Sequence, residues 1–127
     1  MHEATGEPRY LETARKAAWS TYVSGRFCRS GANQCHGVAG NAELLLQMDR
    51  VTGEAIYREW SEDSAELVIW KAHRDGDRVW WDEGDWGTGV RSLSYMVGSS
   101  GPASLLLSLH DPAGFPMPFL TPSKRRE

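Results

Sequence analysis

Apolar residues recur along the first part of the chain at the spacing of one face of an α-helix. The first such face begins after Pro8 and consists of Tyr10, Leu11, Ala14, Ala17, Ala18 and Val23. Proline suits a first helical turn and glycine suits a helix end, so the pattern predicts a helix from Pro8 to Gly25.

Three further helices and one irregular region follow from the same kind of pattern. A second apolar face spans residues 38–51, and Thr52-Gly53 ends it. A third helix is predicted from residue 54 to about residue 73, where Asp75-Gly76-Asp77 breaks it. Tryptophans and glycines mix in residues 78–93, which favours an ordered loop or a short hairpin. A fourth helix is predicted over residues 98–110, before a proline-rich tail at 111–127.

Two motifs occur twice along the chain. Thr5-Gly6-Glu7-x-x-Tyr10 returns 47 residues later (52 minus 5) as Thr52-Gly53-Glu54-x-x-Tyr57. Gly37-x-x-Gly40-x-Ala42-x-Leu44-Leu45-Leu46 returns 61 residues later (98 minus 37) as Gly98-x-x-Gly101-x-Ala103-x-Leu105-Leu106-Leu107. Self-similarity of this kind marks stacked repeat units. The sequence predicts two helical hairpins, at about 5–51 and 52–110, in which each inner helix opens on G-x-x-G.

Two hairpins are fewer than such arrays usually need. Repeat units bury their apolar faces against neighbours, and about three or more are commonly required. We therefore expect uncovered apolar flanks on the two inner helices, with four leucines as candidates: Leu44, Leu46, Leu105 and Leu107.

Length and composition limit the classes of protein to consider. The 127 residues suit a single small domain, and 40% hydrophobic and 24% charged residues with a net charge of −3 are ordinary for globular proteins. No basic excess points to a nucleic-acid partner. No apolar run reaches the length of a membrane span, and the first residues lack a signal-peptide core. We expect a cytoplasmic protein with neither a membrane nor a nucleic-acid partner.

A Cys-His pair, Cys35-His36, stands directly before Gly37 at the mouth of an inner helix. Zinc accepts thiolate and imidazole together, and catalytic zinc commonly has three protein ligands and one open position. The pair would supply two of the three. The alternatives are a buried free thiol and a capping or surface histidine. Cys28 could in principle replace a missing ligand, although a plain loop thiol is the simpler interpretation.

Residues 35–46, Cys-His-Gly-Val-Ala-Gly-Asn-Ala-Glu-Leu-Leu-Leu, resemble the last metal-binding motif of the lanthionine synthetase C (LanC-like) family. Residues 95–101, Tyr-Met-Val-Gly-Ser-Ser-Gly, resemble that family's closing inner-helix motif, and with T-G-E-x-x-Y the resemblance covers nearly the whole chain. Pro102 stands where the family usually has a small aliphatic residue. The resemblance implies an all-α fold, an α/α toroid of seven hairpins, of which this chain would be the C-terminal part.

The resemblance also implies a reaction and a metal. Zinc, bound by two cysteines and one histidine, lowers the pKa of a precursor-peptide thiol, which adds to a dehydrated Ser or Thr in lanthipeptide biosynthesis. Cys35 and His36 match the second cysteine and the histidine. The first cysteine belongs to an earlier Trp-Cys motif, so we expect the third ligand outside this chain, in the rest of a larger LanC-like or kinase- and lyase-fused protein. No general acid is identified, because His2, His73 and His110 are expected at the surface.

Two other functions remain open at this point. The chain could be a LanC-like module that binds a peptide or thiol compound without catalysis. It could also be a fragment of another α/α-toroid enzyme in which Cys35-His36 is incidental. Paired carboxylates at the mouths of the inner helices would favour that last reading, and Glu43 and Asp49 are not expected there.

Overall fold

The computed structural model describes residues 1–25, 31–82 and 89–115 of the chain. Its elements, in chain order, are α1 (His2–Thr5), α2 (Pro8–Gly25), α3 (Val38–Thr52), α4 (Ala55–Trp70), β1 (His73–Asp75), β2 (Arg78–Trp80) and α5 (Ser100–His110). The predicted all-α class is confirmed, with one small hairpin added. No helix in these ranges is both long and apolar enough to cross a membrane.

The T-G-E motif ends one helix and begins the next in both of its copies. Gly6 and Gly53 have φ of 72° and 70°, and each donates its N–H to a helix carbonyl at 2.7 Å. Glycine reaches this left-handed conformation without the steric cost of a Cβ. In each copy the preceding threonine hydroxyl then accepts the N–H of the glutamate, at 3.3 Å for Glu7 and 3.1 Å for Glu54. The sequence repeat is therefore a structural repeat.

Helix α3 is the centre of the packing, since it contacts α2, α4 and α5. One cluster of buried side chains joins α3 to α4 and α5 around Leu46, Val68 and Leu105, and a second joins α3 to α2 and α4 around Leu45. Ser61, fully buried on α4, donates its hydroxyl to the Ala42 carbonyl of α3 at 3.0 Å. Apolar burial and this hydrogen bond hold the inner helix against its neighbours.

The expectation of uncovered leucine flanks is half wrong. Leu46 and Leu105 are each 1% exposed, because they pack against each other's helix in the first cluster. Leu107 is 42% exposed and Leu44 is half-buried. The α3–α5 contact covers one side of each inner helix, and the uncovered side of α5 is open to solvent at Leu107.

Two boundaries differ from the sequence prediction. The third helix ends at Trp70 instead of about His73, because residues 73–80 form an antiparallel hairpin that pairs His73 with Trp80. Its two-residue turn, Gly76-Asp77, has Gly76 at φ 57°, and a positive φ at this position favours a hairpin whose twist matches its strands. The fourth helix begins at Ser100, two residues later than predicted, and Pro102 is tolerated because it lies in the first turn.

Candidate metal centre

Two glycines hold the loop that leads into α3. Gly37 lies so close to the Gly31 carbonyl and the Asn33 backbone that a Cβ there would overlap them, and Gly40 is equally close to the Gln34 carbonyl. The N–H of Val38 also donates to the Gly31 carbonyl at 3.0 Å. The close backbone approach explains why this loop uses glycine at both positions.

The loop that leads into α5 repeats these contacts 61 residues later. Gly98 lies against the Ser92 carbonyl and Gly101 against the Tyr95 carbonyl, again six residues back in each case. The N–H of Ser99 donates to the Ser92 carbonyl at 2.9 Å, which matches the bond from Val38 to Gly31. G-x-x-G is therefore one backbone motif used twice, and positions 35 and 36 correspond to positions 96 and 97.

The two loops bind each other directly. The Met96 carbonyl accepts the N–H groups of Gln34 at 3.0 Å and of Cys35 at 2.8 Å. Gln34 is 8% exposed, and its Cβ lies where a side chain on Gly101 would be. Its Oε1 is buried without a donor among the described residues, so main-chain contacts rather than this amide fix the segment. The position of Cys35 thus depends on both helical hairpins.

Cys35 and His36 line one cavity at the mouth of α3. The cavity has a volume of about 480 Å³, and both side chains are exposed to it while the four residues before them are more buried. The remaining lining comes from Gln34, Gly37, Gly40, Asn41, Glu43 and Met96. The sequence-predicted pair is brought together here, since the turn at Gly37 lets adjacent residues open onto the same space.

Asn33 contacts His36 at both its backbone and its ring. Its side-chain Oδ1 accepts the His36 N–H at 3.1 Å, and its Nδ2 lies 3.5 Å from His36 Nε2. Asn33 is 2% exposed, so its own position is fixed by burial. An amide nitrogen only donates, so Nε2 is the acceptor in this contact, and Nε2 would have to leave Asn33 before its lone pair could bind a metal.

Glu43 also lines this cavity, contrary to the sequence expectation. Burial raises the pKa of the Glu43 carboxyl, while Arg50 and a hydrogen bond from Tyr95 oppose the rise. The pKa of Tyr95 is raised as well, by burial first and then by the negative charge of Glu43. A sequence signal for this residue did exist: Gly37, Gly40 and Glu43 are three residues apart, so they share one helix face. Asp49 is not among the lining residues.

The other candidates for chemistry lie elsewhere. His73 is on strand β1, 3.2 Å from the Asp82 carboxylate, and His110 is exposed at the end of α5. His2 donates a hydrogen bond from Nδ1 to the Glu7 carbonyl, 3.1 Å away, in the N-terminal turn. Cys28 falls outside the described residues. Within the described ranges, no three His, Cys, Asp or Glu side chains come together as a metal site.

The geometry can be set beside a comparison with known families. A model of the family described as lanthionine synthetase C-like protein matches residues 1–120, which is nearly the whole chain. The match includes both T-G-E motifs, both G-x-x-G loops and the Cys35-His36 pair. It agrees with a helical architecture that forms part of an α/α toroid. The chain therefore belongs to the lanthionine synthetase C-like family.

Proposed function

We propose that this chain is the C-terminal part of a zinc-dependent lanthionine cyclase, in which Cys35 and His36 supply two of three zinc ligands. The observation that carries the proposal is the shared cavity: a thiol and an imidazole open together onto about 480 Å³ of space in a member of this family. A thiolate and an imidazole are a donor set that zinc prefers.

The residues present fit a zinc ion in part. Two donors come from one loop, and the described residues supply no third donor beside them. We assign the third position to the cysteine of a Trp-Cys segment outside this chain, in the rest of a larger protein. Two ligands bind zinc more weakly than three, because each deprotonated donor adds affinity and restricts the geometry. The proposal therefore expects little or no cyclisation by this chain alone.

When bound, zinc would lower the pKa of a substrate cysteine thiol, so that the thiolate is available near neutral pH. Its sulfur then forms a bond to the β-carbon of a dehydroalanine or dehydrobutyrine in the same peptide. The electrons of the double bond move toward the adjacent carbonyl, and the α-carbon takes up a proton. The substrate thiol has lost one proton and the α-carbon gains one, so the step is an isomerisation.

Two residues of this chain have roles beside the ligands in the proposed reaction. Asn33 would hold the His36 backbone in place, because its Oδ1 accepts the His36 N–H at 3.1 Å. Glu43 is the carboxyl of the cavity, and its hydrogen bond from Tyr95 connects it to the loop before α5. We assign proton transfer to Glu43, because it is the carboxyl that lines the cavity of Cys35 and His36.

The test uses the longer protein that contains this chain, with a peptide carrying one cysteine and one dehydroalanine. Ring closure leaves the peptide mass unchanged and removes a thiol that N-ethylmaleimide can alkylate, so alkylation followed by mass spectrometry measures it. The wild-type protein should consume the thiol faster than buffer, while Cys35→Ala and His36→Ala should not. Val97→Ala is the matched control, because residue 97 holds the position of His36 in the second loop and does not line the cavity.

A second function has support from the same cavity. A LanC-like module that binds a peptide or a thiol compound would need the space but no third ligand and no proton transfer. If the longer protein, supplied with zinc, binds the peptide saturably and its thiol can still be alkylated, the binding function replaces the cyclase proposal. The family match weighs against the remaining possibility of an unrelated α/α-toroid enzyme.

A further inference from the structure

A second cavity lies between strand β2 and the segment that follows Arg91. Its volume is about 210 Å³, and it is separate in its lining from the cavity of Cys35 and His36. The lining residues are Arg78, Val79, Trp80, Arg91, Ser92, Leu93 and Ser99. At about 30 Å³ for each water molecule, this space holds roughly seven waters, which is the size of one or two amino-acid side chains. We call it the β2 cleft.

Two arginines give the β2 cleft its charge. Arg78 and Arg91 are exposed, and no carboxylate of the described residues lies within ion-pair distance of either guanidinium. Asp82, whose backbone forms a β-bridge with that of Arg91, directs its Oδ2 to His73 Nε2 at 3.2 Å instead. Two cations that share a cleft without a counter-charge repel each other, so an anion between them would stabilise both.

Trp80 holds one of these cations in place. The Arg91 guanidinium carbon lies 3.8 Å from the centre of the Trp80 ring, close enough for cation–π attraction. His73 stacks on the same tryptophan at 5.5 Å with an interplanar angle of 16°. Cation–π contact uses no N–H of the guanidinium as a hydrogen-bond donor to a carboxylate, and the guanidinium fork matches the two oxygens of a carboxylate.

The rest of the wall is apolar and includes a free strand edge. Val79 is 45% exposed and Leu93 is 85% exposed. Only Arg78–Trp80 of β2 has an edge without a strand partner among the described residues, because Asp82, just beyond β2, forms an antiparallel bridge with Arg91. An extended peptide can add to such an edge through main-chain hydrogen bonds while alternate side chains enter pockets. The cleft thus offers main-chain, apolar and cationic contacts together.

We propose that the β2 cleft binds an extended acidic peptide segment, whose carboxylate pairs with Arg78 and Arg91 while a neighbouring apolar side chain packs against Val79 and Leu93. The segment 92–99 connects this cleft to the first cavity, because Leu93 lines one and Met96 lines the other. Three residues of chain span at most about 11 Å. A peptide anchored in the cleft would therefore have its following residues near Cys35, and this last consequence alone rests on the proposed cyclase function.

The test measures binding of a fluorescein-labelled peptide with alternating Glu and Leu residues by anisotropy, using the intact 127-residue chain at low salt. Exposed ion pairs are individually weak, so Arg78→Gln and Arg91→Gln should each weaken binding by about two- to fivefold, and added salt should weaken it further. Arg74→Gln is the matched control, since this exposed arginine lies on β1 outside the cleft and should bind as the wild type does.

Four results would overturn the proposal. One is an equal loss of peptide affinity in the control and in the cleft variants, which would mean that the peptide binds positive charge in general. A second is equal binding of a peptide in which Gln replaces every Glu, and a third is no binding at millimolar peptide. The fourth is displacement of the peptide by inorganic phosphate at equal concentration, which would identify a simple anion site instead of a peptide site. None of these readouts depends on zinc or on cyclisation, so failure here leaves the cyclase proposal untouched.

Discussion

The loop before α3 and the loop before α5 have the same backbone and different chemistry. In both, two glycines lie against carbonyls six residues earlier, and an N–H donates to a carbonyl seven residues earlier. One loop then presents Cys35 and His36 where the other presents Met96 and Val97. The repeat supplies a rigid frame, and two side chains on that frame decide whether it carries a candidate metal site.

The largest effect should come from the glycines of the shared frame. Gly40→Ala and Gly101→Ala each place a Cβ inside contact distance of a backbone carbonyl, at Gln34 and Tyr95 respectively. Overpacking of this kind costs about 2 to 3 kcal/mol, more than the roughly 0.5 to 1 kcal/mol that alanine gains in a helix. Thermal melts followed by circular dichroism should show a midpoint lower by roughly 10 °C in each.

The control for this pair is Glu59→Ala, a change at an exposed position of α4. It should leave the midpoint nearly unchanged. If Gly40→Ala destabilises the protein and Gly101→Ala does not, the two loops are not equivalent in energy, and the comparison holds for geometry only.

A smaller effect separates the loops at residues 33 and 94, which correspond at the same 61-residue spacing. Asn33 is buried and its Oδ1 accepts the His36 N–H, whereas Ser94 is exposed. Asn33→Ala should cost about 1 kcal/mol, the net value of one hydrogen bond. Ser94→Ala should change stability by less than about 0.5 kcal/mol. Urea denaturation of both variants checks this, and equal losses would mean that Asn33 has no special role in the first loop.

The smallest effect concerns residues 43 and 104, again equivalent positions. The pKa of Glu43 is raised above its ordinary value of 4.5, mainly by burial, so its protonated form is favoured in the folded state. The stability that the protonated Glu43 contributes to the folded state is fully present below pH 4.5 and is lost as pH rises through the raised pKa. Glu43→Gln lacks this loss and should gain stability relative to wild type as pH rises, by less than about 1 kcal/mol because the carboxyl is only half-buried.

Melting midpoints of the two proteins at pH 4, 6 and 8 measure this difference. Glu59→Gln provides the control, since it removes an exposed carboxyl of α4 that does not line the cavity. A gap between Glu43→Gln and wild type that stays constant over the whole range would contradict a titrating Glu43.

The sequence predicted most of the frame because its signals are local. Helical spacing and Gly25 predicted the bounds of α2, and Thr52-Gly53 ended α3 as expected. The sequence correctly predicted a break at Asp75-Gly76-Asp77. The helix itself ends earlier, at Trp70, because residues 73–75 pair with residues 78–80, and helical spacing carries no signal for that pairing. The burial of Leu46 depends on α5, more than 50 residues away in sequence, and spacing carries no information about that contact.

The sequence pointed to Cys35 and His36 as the candidate site. It did not point to the other residues of the cavity that the structure places beside them. Cys35 and His36 were identified by their place before a glycine turn, and the structure opens both onto one cavity. Glu43 was set aside because no carboxylate pair was expected at the mouth of α3, and its spacing of three residues from Gly40, which places both on one helix face, was overlooked. The contribution of Met96 was also invisible, since it acts through its carbonyl, and any residue type has one.

Zinc affinity tests the central claim most directly, measured by chelator competition for this chain and for the longer protein with the upstream Trp-Cys segment. The account predicts weak binding by the chain alone and tight binding by the longer protein. There, Cys35→Ala and His36→Ala should each lower affinity by more than the roughly 10- to 100-fold typical of losing an outer-shell partner. Cys28→Ala and Val97→Ala should change it little. If Cys28→Ala abolishes binding while His36→Ala does not, or if neither length binds zinc, Cys35 and His36 are not the ligands proposed here.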